Sequence, residues 1–145
     1  MPVTDDMVAA LRAYLSRDYE EFKRRNGAFD ASQGLRRSYV ALLIASFVEA
    51  VERRFATPSR EEIAAFVAGM RARDDHLAKL DPDATERLIA FVFEDDVRIE
   101  DIDPDKSVGI RMMVLSQIFH DLALDDAELE VFLERARTLA NEILA

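Results

Sequence analysis

Four residues suited to start a helix, Ser59, Asp81, Asp103 and Asp125, stand 22 positions apart each time. A short polar side chain accepts the unpaired N–H groups of a first helical turn, and Pro82 and Pro104 follow two of the four at the first helical position, where a missing N–H costs nothing. Ser59-Arg60-Glu61-Glu62 has the pattern of a capping box, in which the cap and the third helical residue bond each other's backbone. Leu80, Ile102 and Leu124 immediately precede three of the caps, where an apolar side chain clamps the first turn, and Leu124 pairs best with Leu129. A spacing of 22 leaves room for a helix of about 15 to 18 residues and a short connection, which makes neighbours antiparallel. Doubled, it is also near the length of a two-helix solenoid repeat. The apolar positions argue against a repeat: Ile63, Phe66, Val67 and Met70 sit at other offsets from their cap than Leu88, Ile89, Val92 and Phe93 do from theirs. Matched helices of one bundle are the expectation.

Residues 1–56 read as a helical hairpin. One helix starts after Thr4, with Asp5 and Asp6 at its positive end, and runs to about Arg25 before Asn26-Gly27; Val8, Leu11, Leu15 and Phe22 form its apolar face, with Tyr14 and Tyr19 beside it. A second helix covers residues 35–55, and its middle, Val40 to Ala45, is apolar all round. A helix without a polar face has to be surrounded by others, which makes this one the central element. The expected fold is therefore all-α, a single compact bundle of about six helices over residues 1–145. It divides at most into a hairpin at 1–56 and four successive helices at 59–145.

Composition agrees. Half the residues are apolar, and four Gly and four Pro leave little material for hairpin turns. With no Cys, disulfides, thiolate metal sites and cysteine nucleophiles are excluded together. The amino terminus lacks the basic stretch and apolar run of a secretory signal, and the longest apolar segment, Val40 to Val51, is shorter than the roughly 20 residues that span a bilayer. A cytoplasmic protein is expected. The heavy use of Arg over Lys suits a GC-rich bacterial genome.

The segment from Glu94 to Asp105 is the strongest functional lure. Asp101, Asp103 and Asp105 alternate as oxygen ligands do at the start of a calcium loop, yet Lys106 replaces the turn glycine and Met112 falls where a bidentate carboxylate belongs. Asp103 as a cap, Asp105 as a first-turn carboxylate and a solvated Asp101 account for the pattern without a metal. His76 and His120, the only histidines, belong to no His-x-x-x-His or Glu-x-x-His spacing, so surface positions at helix ends are expected. No nucleophile elbow, phosphate loop or dinucleotide fingerprint occurs. Neither a catalytic residue nor a cofactor is expected.

Glu61 to Met70 is similar to the first half of a helix-turn-helix, with Ala65 and Gly69 at the right separation. The would-be recognition helix turns acidic at Asp74-Asp75, where phosphates would be met. Gly69 and Gly109 are expected instead to allow close helix packing. From Met112 to Ala140, an apolar helix, the segment His120-Asp121-Leu122-Ala123-Leu124-Asp125-Asp126-Ala127-Glu128 and a further helix resemble the helix pair of the TerB-like tellurite-resistance family. The likeness covers about a fifth of the chain. That family's pattern has Asp-Gly where this chain has Asp121-Leu122, and the resemblance carries no activity or residue over.

The net charge of −10 is unevenly placed: residues 1–60 sum to +2 and residues 61–145 to −12. An acidic surface repels phosphate, so neither nucleic acid nor an anionic membrane is an expected partner. Three Arg pairs, Arg24-Arg25, Arg36-Arg37 and Arg53-Arg54, lie in the first part. The first and third answer the negative ends of helices, whereas Arg36 and Arg37 stand at a helix start, where cations are disfavoured. A contact with a carboxylate of the acidic part or of a second subunit is the functional reading of that pair.

These observations lead to a non-catalytic helical protein of regulatory or adaptor type that works through protein–protein contacts, as a homodimer or with a basic partner. The alternative is a helical ligand-binding protein or enzyme with a pocket lined by Phe91, Phe93, Met112, Met113, Phe119 and His120. Aromatic and methionine side chains at such spacings are more often core.

Overall fold

Thr4 opens the first helix, its hydroxyl accepting the Met7 N–H at 3.3 Å, with Asp5 and Asp6 in the first turn. In the computed structural model, which describes residues 1–145, this helix, α1 (Asp5–Leu15), stops ten residues before the end that its apolar period suggests. Arg17 then takes the left-handed backbone region at φ 62°, and Asp18 starts α2 (Tyr19–Asn26) by accepting the Glu21 N–H at 3.3 Å. The cause of the break is Asp18, whose short side chain competes for the backbone as a cap. A 3-10 turn over Gly27–Ala31 leads to Ser32, which accepts the Leu35 N–H at 3.1 Å and opens α3 (Gln33–Arg54).

The four regularly spaced caps all act as caps. Ser59, Asp81, Asp103 and Asp125 accept the third N–H of α4 (Arg60–Arg71), α5 (Pro82–Phe91), α6 (Pro104–Leu122) and α7 (Asp126–Leu144) at 3.1, 3.1, 3.0 and 2.8 Å. The reciprocal box forms at Asp125, where Glu128 returns a bond to the cap N–H, and not at Ser59, where only the serine half is made. Equal spacing does not give matched helices, however. α4 and α5 have 12 and 10 residues while α6 and α7 have 19 each. The short pair ends where acidic residues follow, Asp74-Asp75 and Glu94-Asp95-Asp96, because carboxylates are unfavourable at the negative end of a helix. Gly69 and Gly109 are not packing devices either, since a Cβ at either position would meet nothing within 4 Å.

The chain is all-helical without strands, and its seven helices exceed the six drawn from the sequence because the first segment breaks in two. One continuous core of 36 buried residues runs from Val3 to Ala140. Within it α3 packs along both α6 and α7, and α4 pairs with α5. The amino terminus is tied down: the Ser38 hydroxyl donates to the Met1 carbonyl at 2.6 Å, the Val3 N–H donates to Asn141 Oδ1 at 2.9 Å, and Arg137 reaches the Val3 carbonyl and Asp5 at 3.1 and 2.7 Å. No helix is long and apolar enough to cross a membrane.

Two tyrosines, Tyr14 half-buried and Tyr39 buried, make opposite demands on this core. The Tyr14 hydroxyl donates to the Met112 carbonyl at 2.9 Å, joining α1 to α6, and burial pushes its pKa up to about 12 against an opposing hydrogen bond from Ser116. Tyr39, with its ring 4.5 Å from that of Phe29, buries a hydroxyl that has no partner. Tyr14→Phe is therefore expected to cost about 1 kcal/mol, and Tyr39→Phe to be neutral or to stabilise by up to about 1 kcal/mol, since it removes an unpaired polar atom. Urea melts of the two variants check this. Equal losses would refute the assignment of partners.

Candidate functional site

Placed on this frame, the residues singled out by the sequence separate. Asp101 is exposed, as expected, and also takes Arg87 at 2.8 Å, Asp103 caps α6, and Asp105 faces Arg36 at 3.4 Å, so the three alternate aspartates turn to three different partners. Phe91 lies exposed at the end of α5, Phe93 follows in the next turn, and Met112 lies half-buried on α6. None of these three reaches the cavities that the remaining members of the expected pocket line.

Met113 lines a cavity of about 280 Å³ with Tyr14, Tyr19, Asp74, His76, Leu77, Ser116 and Gln117. Phe119 and His120 line another, of about 240 Å³, with Leu15, Ser16, Arg17, Ser116, Ala123 and Leu124. The two histidines are exposed at helix ends, as expected, and border separate cavities that share only Ser116. The His120 cavity contains no carboxylate, although its two chain reversals, at Arg17 and Ala123, are the only non-glycine residues with positive φ. Both lie where a helix ends, and a single left-handed residue is a common way to end one. General acid–base chemistry needs a second group to orient or polarise the first, and no hydrogen bond joins His120 to the Ser16, Arg17 or Ser116 side chains that share its cavity.

A different place gathers charge. Glu49 and Glu52 of α3 face Glu134, Arg135, Thr138, Leu139 and Glu142 of α7 across a groove of about 390 Å³. Four carboxylates meet one arginine there. Spacing explains the α7 side, because Glu134, Thr138 and Glu142 recur every four residues and so share one face, while Phe132, Leu133, Ala136 and Ala140 fill the buried face. Glu49 is largely buried and has cations, Arg53 at 2.9 Å and Arg135 at 3.8 Å. Glu52, Glu134 and Glu142 have no cation within ion-pair distance. Several exposed acids pair across helices, as Glu130 does with Arg12, Asp121 with Arg73 and Asp81 with Lys106, while Glu20, Glu61, Asp75 and Asp126 stand without a cation as the groove glutamates do. What sets the groove apart is that four carboxylates line one depression.

The Arg pairs also divide. Arg24 and Arg25 both bind Glu21, Arg53 lies over the Phe132 ring at 5.2 Å, and Arg54 lies over Phe55 and Phe66 at 4.8 and 5.4 Å. Arg36 reaches Asp30 and Asp105, both exposed, at 3.3 and 3.4 Å. Arg37 is exposed and faces no carboxylate. The four-glutamate groove does not follow from the sequence, since α3 and α7 are distant in the chain; the spacing of Glu134, Thr138 and Glu142 is the one local signal.

No family model, curated protein or solved structure matches this chain, and the resemblance of residues 112–140 to the TerB-like helix pair finds no support there.

Proposed function

We propose that this chain is a non-catalytic helical protein of regulatory or adaptor type, working through protein–protein contacts, and that the groove between α3 and α7 receives a basic protein segment. On this reading α3 is the central element of the bundle and the protein works in the cytoplasm. The observation that carries it is the set of three unpaired carboxylates, Glu52, Glu134 and Glu142, lining one groove. Like charges held together oppose folding, and the one arginine of the groove, Arg135, lies nearest Glu49 and leaves these three without an ion pair. A local choice that costs stability without compensation is expected where function requires it. Arginine or lysine from a partner would neutralise the site and steer the encounter over a distance of about 8 Å at physiological salt. The alternative reading, a small-ligand pocket, draws less support because its six side chains are dispersed over α5, α6 and the turn between them.

Titration of a fluorescent hexa-arginine peptide tests the proposal. Replacing Glu52, Glu134 and Glu142 by Gln is expected to weaken binding about tenfold or more, whereas Asp95→Asn, Asp96→Asn and Glu100→Gln together, which alter net charge equally, leave it nearly unchanged. Equal losses in the two triple variants would reduce the effect to general charge and overturn the assignment of the groove.

A further inference from the structure

We propose that the cavity between the α1–α2 corner, α6 and the turn after α4 binds a small quaternary ammonium ion, held by the Tyr14 and Tyr19 rings with the Asp74 carboxylate as its counter-charge. The site is independent of the groove between α3 and α7. It shares only Met113 with the pocket expected from the sequence. Size sets the first limit. An apolar cavity of about 150 Å³ takes a benzene molecule, which gives the scale. At about 280 Å³ this one has room for a whole ion the size of choline.

The way the two rings meet comes next. On one continuous helix residues 14 and 19 would stand about 140° apart, because each residue turns the helix by about 100°, and the rings would face different neighbours. The left-handed Arg17 and the Asp18 cap break the helix between them. The Tyr19 ring then comes to 6.1 Å from the Tyr14 ring, with 64° between the planes. Two rings at so steep an angle can flank one cation, which then stands within about 6 Å of both centroids, the range over which a ring face attracts it. Tyr14 is already fixed: its hydroxyl donates to the Met112 carbonyl, and Phe22 packs against its ring at 5.0 Å. Tyr19, at 46% exposure, keeps much of its surface free.

Charge and hydrogen bonding select the class of ion. No Lys or Arg borders the cavity, and Asp74 has no cation, His76 included, within ion-pair distance. Arg73 reaches the cavity's Gln117 at 2.8 Å, but Asp121 neutralises it at 2.9 Å. A primary ammonium is strongly hydrated and brings three donors that each need an acceptor. Acceptors here are largely taken: Gln117 Oε1 by Arg73 and one Asp74 oxygen by the Leu77 N–H at 2.7 Å, while the Tyr14 hydroxyl is turned to Met112. A quaternary ammonium has no donor to satisfy. Its methyl groups suit the aromatic rings, the buried Leu77 and the polarisable sulfur of Met113. The net charge of −10 adds a long-range preference for a cation.

Choline chloride is the probe, titrated into the full chain and followed by backbone amide NMR shifts. Saturable shifts confined to residues 14–19, 74–77 and 113–117 are expected, with a dissociation constant of about 1–10 mM for two ring contacts and one exposed carboxylate. The uncharged analogue with carbon in place of the choline nitrogen has the shape without the charge, and ethanolamine has the charge without the methyl groups. Each is expected to bind at least about tenfold more weakly. Tyr19→Leu should weaken choline binding about tenfold and Tyr19→Phe should preserve it, because the ring and not the hydroxyl makes the contact. Asp74→Asn keeps an oxygen for the Leu77 N–H and should weaken binding about fivefold, while Asp95→Asn, outside the cavity, leaves it unchanged. Tyr19 and Asp74 are both exposed, and thermal melts check that each variant stays folded. Equal binding of the uncharged analogue would rule out recognition of a cation, and equal binding of ethanolamine would rule out the rings. Shifts spread over the whole acidic surface, or a Tyr19→Leu variant that binds choline as the wild type does, would overturn the site itself.

Discussion

Phe132→Ala is expected to remove about 3–5 kcal/mol of folding stability, a large part of the 5–15 kcal/mol that a domain of this kind possesses. Phe132 is fully buried on α7, the helix that packs along α3. Its ring meets Phe119 of α6 edge-on at 5.7 Å and carries the Arg53 guanidinium at 5.2 Å. Truncation therefore leaves a cavity where three helices meet and also frees Arg53 from the ring. Its neighbour Val131 is 52% exposed, and Val131→Ala should change stability by no more than about 0.5 kcal/mol. The contrast between adjacent residues is the test. Urea melts should show a shifted midpoint at unchanged slope for Phe132→Ala. A loss under about 1 kcal/mol would mean that α7 can detach while the rest of the bundle holds.

The elements that local chemistry determines were legible in the sequence. Thr4, Ser32 excepted, Ser59, Asp81, Asp103 and Asp125 could be read as starts because a cap needs only its own side chain and the next three N–H groups. The same logic was available at Asp18, which caps Glu21, but the apolar period running from Val8 to Phe22 suggested continuity. An apolar period persists across a break when both pieces pack on the same side. The ends of α4 and α5 are not legible in the same way, since cap spacing sets the start of a helix and says nothing of where it stops. Sites were harder. Glu49 and Glu134 are brought together only by packing, and the Phe and Met residues that looked like one lining were divided by the direction each takes from its helix. Arg36 and Arg37 were legible as misplaced charges because the dipole rule is local.

Acid should unfold this protein more readily than its net charge at neutrality suggests. Arg24 and Arg25 hold the Glu21 carboxyl below its ordinary range, Lys106 and the Ala84 N–H do so for Asp81, Arg87 for Asp101 and Arg12 for Glu130. For each, the folded pKa lies below the unfolded one, so the stabilisation is present above the unfolded value and is lost as pH falls through the folded value. These four pairs join α1 to α7, α5 to α6, α5 to the segment before α6, and the turns of α2. Charge acts in the same direction below pH 4. A smaller net negative charge first relieves general repulsion, which favours a slight rise in Tm from pH 7 toward the isoelectric region near 4.7. Further protonation leaves 19 Lys and Arg and two His uncompensated, and the fold then carries a large positive charge. A fall in Tm on the order of 10 °C between pH 5 and pH 3 is expected, followed by calorimetry. Adding salt at pH 3 separates the two causes, because it screens the general repulsion and leaves the lost hydrogen bonds of Asp81 and Glu130 unrestored. A Tm that is level from pH 5 to pH 3 would show that these cross-helix pairs contribute nothing to the folded state.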